Sequence, residues 1–265
     1  MQSVARWTAR AVTIFLLAMS TSSWAQTKDG SNDLNPKVVD FTELEYPTIA
    51  RQALISGVVV VRVHLDDRGS VLSAEAIFGS KYLVPDSLEN VKKWHFQPSP
   101  AKSTVVVYDF RVSSDLCAVP CRSHFSVRQP NFATITTFYH PLEKAQIDGI
   151  EYEQNLRLVD FAEFEYPRLA RQMRTQDIVV VGIELDSHGK VVSSTPISGR
   201  DFLMRECLIN AMKWHFGPTN VIKAVIVYDF KFGRGACADP CHSQFLVDPP
   251  NFATITVGGN LSWNP

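Results

Sequence analysis

The stretch Gly57-Val58-Val59-Val60-Val61-Arg62-Val63-His64-Leu65-Asp66-Asp67-Arg68-Gly69 decides the fold. Val59, Val61, Val63 and Leu65 share one face at period two, with Arg62 and His64 on the other. That alternation predicts a strand with one face on a core and one facing water. Asp66–Gly69 then reads as a hairpin turn whose glycine takes positive φ. The stretch recurs as Asp177–Gly189: Val179, Val181, Ile183 and Leu185 repeat the apolar face, Glu184 lies opposite, and Asp186–Gly189 repeats the turn.

The recurrence extends both ways. Val38–Thr136 lies over Leu158–Thr256 without a gap, at a constant offset of 120, with roughly half the paired residues identical. A unit of about a hundred residues is too long for a solenoid repeat, whose period is about 20–50 residues, and suits a duplicated small domain.

Outward from the strand, Tyr46-Pro47 and Tyr166-Pro167 open short helices, Pro47–Leu54 and Pro167–Met173, with proline favoured at the first helical position. The tyrosines read as staples to the core. A second strand follows in Val71–Ile77 and Val191–Ile197, then helices over Asp86–Trp94 and Glu206–Trp214, which Pro98 and Pro218 stop. The last clear strand is Val105–Val112, mirrored by Val225–Phe232; Val106, Tyr108, Phe110 and Val112 make its apolar face, and Asp109 and Arg111 its wet one. The expected class is α+β: two tandem modules, each a small antiparallel sheet of three or four strands with two helices on one face. The expected boundaries are a signal peptide over 1–25, modules over 38–136 and 158–256, and a linker over 137–157.

The 265 residues carry 26 basic and 27 acidic side chains, net charge −1, with no long run of one sign. Nucleic acid, bound chiefly through phosphate neutralisation, is a poor partner for such a surface. Arg6 and Arg10, the apolar Ala11–Met19, and Ser23 and Ala25 ahead of Gln26 form an export signal. The compartment is then periplasmic or extracellular. There the C-x3-C pairs Cys117–Cys121 and Cys237–Cys241 read as disulfides pinning two short loops. Zinc would need four ligands. Cys117, Cys121 and His124 fall short, and Gln244 replaces His124 in the second copy. Cys207, opposite Ser87, is expected to be a half-buried helical thiol. His95 and His215, each between Trp and Phe, read as surface histidines. No nucleophile, base and orienting group stand together, so the expectation is a non-enzyme without cofactor or metal.

The ordered series Tyr46-Pro47, Ala50-Arg51, Gly57–Leu65, Asp66–Gly69 and Trp94-His95-Phe96-Gln97-Pro98, repeated as Tyr166-Pro167, Ala170-Arg171, Ile178–Leu185, Asp186–Gly189 and Trp214-His215-Phe216-Gly217-Pro218, resembles the C-terminal domain of the TonB family. The resemblance implies a periplasmic module that binds a protein or peptide of the cell envelope, in family transducers an outer-membrane receptor. Binding there adds the partner as a strand to the sheet edge. On matching positions the edge residues are Val105, Val107, Asp109 and Arg111, and Val225, Val227, Asp229 and Lys231; a homodimer paired at the same edge is the other expectation. The departures matter too. Ala11–Met19 has no histidine, Gln26–Lys37 holds a single proline, and Glu45 and Glu165 stand where transporter-engaging members often have glutamine. An energy transducer with an uncleaved anchor is therefore the alternative reading. Phe125, Val127, Phe132 and Ile135, beyond the family pattern, form a candidate strand capping the partner's edge.

Overall fold

A computed structural model describes residues 35–113, 122–138, 156–236, 242–248 and 250–260. The expected signal segment, the four cysteines of the expected disulfides and most of the expected linker lie outside the described residues. Both modules belong to one compact unit, Leu34–Pro265.

The first module runs β1 (Val38–Asp40), α1 (Thr48–Gln52), β2 (Gly57–Leu65), β3 (Val71–Phe78), α2 (Val84–Val91), β4 (His95–Phe96), β5 (Ser103–Ser113), β6 (His124–Arg128) and β7 (Phe132–Phe138). The second repeats it as β8 (Leu158–Asp160), α3 (Arg168–Gln172), β9 (Asp177–Leu185), β10 (Val191–Ser198), α4 (Asp201–Ala211), β11 (His215–Phe216), β12 (Lys223–Ala236), β13 (Gln244–Asp248) and β14 (Phe252–Asn260). The α+β class holds in both. Each main sheet has five strands, in the orders β3-β2-β5-β7-β6 and β10-β9-β12-β14-β13. They are mixed sheets, because β7 runs parallel to β5 and β14 parallel to β12. The short β1–β4 and β8–β11 pairs stand apart.

Pro47 and Pro167 stand one residue ahead of their helices, with extended ψ of 128° and 130°. The Pro47 carbonyl still accepts the first helical bond, from the Arg51 N–H at 2.8 Å. The tyrosines are the expected staples. Tyr46 is buried, packs edge-on to Phe110, and donates its hydroxyl to the Ile55 carbonyl at 2.6 Å. Tyr166 does the same through Phe230 and the Thr175 carbonyl.

The turn after β2 explains why Gly69 is needed. Its φ is +88°, and a Cβ there would lie 1.9 Å from the Phe96 carbonyl oxygen. The close approach exists because the Phe96 N–H donates to the Gly69 carbonyl at 2.8 Å. Asp66 closes the turn, its Oδ1 accepting from the Arg68 and Ser70 N–H groups at 2.8 Å each. Gly69→Ala is expected to destabilise the chain by roughly 2–4 kcal/mol, from strain plus a backbone clash. Urea denaturation checks this; a loss below about 0.5 kcal/mol would mean that the turn relaxes freely.

Besides the antiparallel three- or four-stranded sheets, which are mixed and five-stranded because the extension adds two strands to each, another expectation is overturned. The second face of each sheet does not face water along its length. Val58, Val60, Val105, Val107 and Phe132 of the first module pack against Ile178, Val180, Val225, Val227 and Phe252 of the second in one buried cluster. Each of the first five has its counterpart 120 positions on, so the contact is isologous, as in a two-fold dimer. The helices cover the outer faces: Leu83 and Val91 of the α2 region join the core of Trp94, Phe96, Tyr108 and Phe110. The layers therefore run helix, sheet, sheet, helix. The inner face is open at its far end, where Arg62 pairs with Glu75 at 2.9 Å and His64 is exposed.

Candidate functional site

The eight expected edge residues lie on strands that have no edge. β5 pairs with β2 on one side, Val105 opposite Arg62 and Val107 opposite Val60. On the other side it pairs with β7, Val107 opposite Phe132, Asp109 opposite Thr134 and Arg111 opposite Thr136. β12 is flanked in the same way by β9 and β14, taking in Val225, Val227, Asp229 and Lys231. The physical reason is the extension after each cysteine pair. Its Ile135 and Ala133 enter the module's own core, and its main chain occupies the side of β5 that a partner would need.

The outermost strands are β3 and β6, and β10 and β13. β3 and β10 differ at one informative position. Ala76 lies opposite Val61, and its counterpart Pro196 lies opposite Val181. Proline has no N–H, and within a sheet it is tolerated where that N–H would face away from the neighbour. Pro196 lies on an outermost strand and beside a register shift, both places that tolerate proline, and Ala76 keeps on β3 the N–H that Pro196 lacks.

Asp109 and Asp229, expected on a wet face, are buried at 4% and 0% exposure, at the end of the cluster between the modules. Asp109 Oδ2 accepts from Arg111 Nε at 2.6 Å. Burial raises the Asp109 pKa against the pull of Arg111, and the charges of Asp248 and Asp229 push the same way as burial. Asp229 Oδ1 accepts from Arg128 Nη2 of the other module at 2.6 Å, while Lys231 Nζ lies 2.7 Å from Oδ2. Both phenylalanines beside these groups meet a guanidinium: Arg128 over Phe132 at 5.1 Å and Arg111 over Phe252 at 5.8 Å. A cavity of about 420 Å³ opens at the Asp109 end, lined by Gly57, Asp109, Arg111, Asp248, Asn251 and Phe252 among others.

The remaining residues stay apart. His95 is half-buried with Nδ1 3.5 Å from Ser70 Oγ, and His215 is exposed. Cys207 is wholly buried on α4, more than half-buried burial would require, and that burial pushes its thiol pKa up. Among the described residues no three His, Cys, Asp or Glu side chains are placed to share a metal. No described helix is long and apolar enough to cross a membrane.

Arg128 and Asp248 escaped the sequence reading, and so did two buried amides. Asn90 is buried under the sheet, with Oδ1 accepting from Trp94 Nε1 and the Tyr108 hydroxyl, both at 2.9 Å, and Nδ2 donating to the Thr42 carbonyl. Asn210 repeats this with Trp214, Tyr228 and the Ala162 carbonyl. Their identity in both copies was the available signal.

Comparison with protein families matches one of them. Residues 42–113 fit the Gram-negative bacterial TonB protein C-terminal family. That span is about a quarter of the chain. It ends with the last residue of β5, so β6 and β7 lie beyond it. The second module is not matched, although its elements follow the same order. Neither the curated proteins nor the solved structures yielded a match.

Proposed function

We propose that the chain is a non-catalytic binding protein of the bacterial periplasm. An extended segment of an envelope protein, such as an outer-membrane receptor, adds as a strand along β3 of the first module. The observation that carries this reading is the outermost position of β3, with an N–H at Ala76 where the second module has Pro196. Strand addition draws affinity from main-chain hydrogen bonds and selectivity from alternate side chains. The β3 edge offers both, with Leu72 exposed beside it. The edge used by family transducers corresponds to β5, which β7 already covers; that favours a binder using another edge over an energy transducer.

The test is capture of envelope proteins on the immobilised chain, repeated with Ala76→Pro. The proline is expected to weaken capture at least about tenfold, since it removes a donor and places a ring at the edge. Thermal stability should hold, because the second module carries proline at that position. Equal capture by wild type and Ala76→Pro would remove β3 as the site. Concentration-dependent mass of the chain alone, lost in Ala76→Pro, would identify a second copy as the added strand.

A further inference from the structure

The isologous interface has two ends, and they are chemically unequal. At one end, Asp229 is met by Lys231 and by Arg128 reaching across from the other module. At the other end, Asp109 is met by Arg111, but the position matching Arg128 is Asp248. The matching wall position also differs. Asp177 is buried and bonded to the Ile178 and Arg200 N–H groups, whereas Gly57 has open space where a Cβ would project. A long arginine and an aspartate at one end are thus replaced by a short aspartate and no side chain at the other. The 420 Å³ cavity is the result. Its lining holds two acids, the buried Asp109 and the exposed Asp248, to one base, Arg111.

The occupied end shows what such a place holds. There the carboxylate equivalent to Asp109 accepts a guanidinium nitrogen at 2.6 Å, with the planar group over a phenylalanine ring. Charge-assisted pairs of this kind are the strong class of hydrogen bond, and planar guanidinium suits both a carboxylate and an aromatic face. We propose that the cavity between the modules receives a guanidinium group, supplied by an arginine side chain of a protein partner, with Asp248 as its acceptor, beside the Asp109 carboxylate and the Phe252 ring that Arg111 already meets. The site does not depend on strand addition at β3, and Ala76→Pro leaves it intact.

Titration calorimetry with N-acetyl-L-arginine amide, and with the citrulline analogue as an uncharged isostere, tests this on the full chain. Saturable binding of the arginine compound is expected, with citrulline weaker by about tenfold or more. Asp248→Asn should weaken arginine binding roughly tenfold. Asp248→Arg should abolish it and raise Tm, because the new side chain fills the cavity as Arg128 fills its counterpart. An arginine-bearing peptide binding more tightly than the amide assigns the source to a protein side chain; equal affinity assigns it to free guanidinium compounds and overturns the protein partner. Equal binding of citrulline, absence of saturation by the arginine compounds, or Asp248→Arg with unchanged binding and lowered Tm overturns the site itself.

Discussion

Val180→Asp is expected to destabilise the whole chain by at least about 4 kcal/mol, a large part of the roughly 5–15 kcal/mol that holds a domain together. Val180 is wholly buried between the two sheets, among Val58, Val60, Val107, Val227 and their neighbours. A carboxylate there has no designated partner and loses its hydration, the costliest substitution a core meets. The damage should not stay in the second module. The same cluster covers the inner faces of both sheets, so hydrogen exchange is expected to accelerate in β2 and β5 as well as in β9 and β12. His64→Asp, on the exposed end of the homologous strand, is the control and should stay within about 0.5 kcal/mol of wild type. If Val180→Asp unfolds in urea within 1 kcal/mol of wild type, the sheets do not bury these faces against each other, and the account of the interface fails.

Asn90→Ala should cost roughly 3–5 kcal/mol, the second large effect. The alanine strands the indole N–H of Trp94 and the hydroxyl of Tyr108, both buried, and frees the Thr42 carbonyl. Leaving buried donors unmet costs more than a hydrogen bond contributes, about 1–3 kcal/mol for each group. Asn210→Ala is expected to behave alike, since Trp214 and Tyr228 converge on it in the same way. Ser87→Cys provides the contrast on the same helix. Ser87 donates to the Leu83 carbonyl at 2.9 Å, but its counterpart is already Cys207, buried and free. That exchange should cost under about 1.5 kcal/mol. A small Asn90→Ala effect in equilibrium denaturation would mean that water enters to satisfy the two donors.

What was readable in the chain, and what was not, divides along a physical line. Tyr46, Gly69, Trp94 and the even-numbered face of β5 were legible because their roles are local: a staple, a positive φ, a helix end, a period of two. The burial of Asp109 was not, because polarity was taken as a mark of water. The run Val58-Val59-Val60-Val61 carried the missed signal. It does not alternate, and an unalternated apolar strand is one buried on both faces. Asn90 was missed for a related reason. A lone amide on a helix resembles a surface residue until the indole and phenol that converge on it are placed.

The sequence by itself determined that one small α+β unit occurs twice, with its strands, turns and helices in order, because those follow from neighbours a few residues apart. The capping strand was already a candidate in Phe132 and Ile135; tertiary structure alone decided that it would pair parallel to β5, that the two sheets would face each other, and that the two ends of their contact would carry unlike charge. Those outcomes depend on which surfaces meet in space, and pairing between elements that are not neighbours in sequence leaves no periodicity in the chain that makes it.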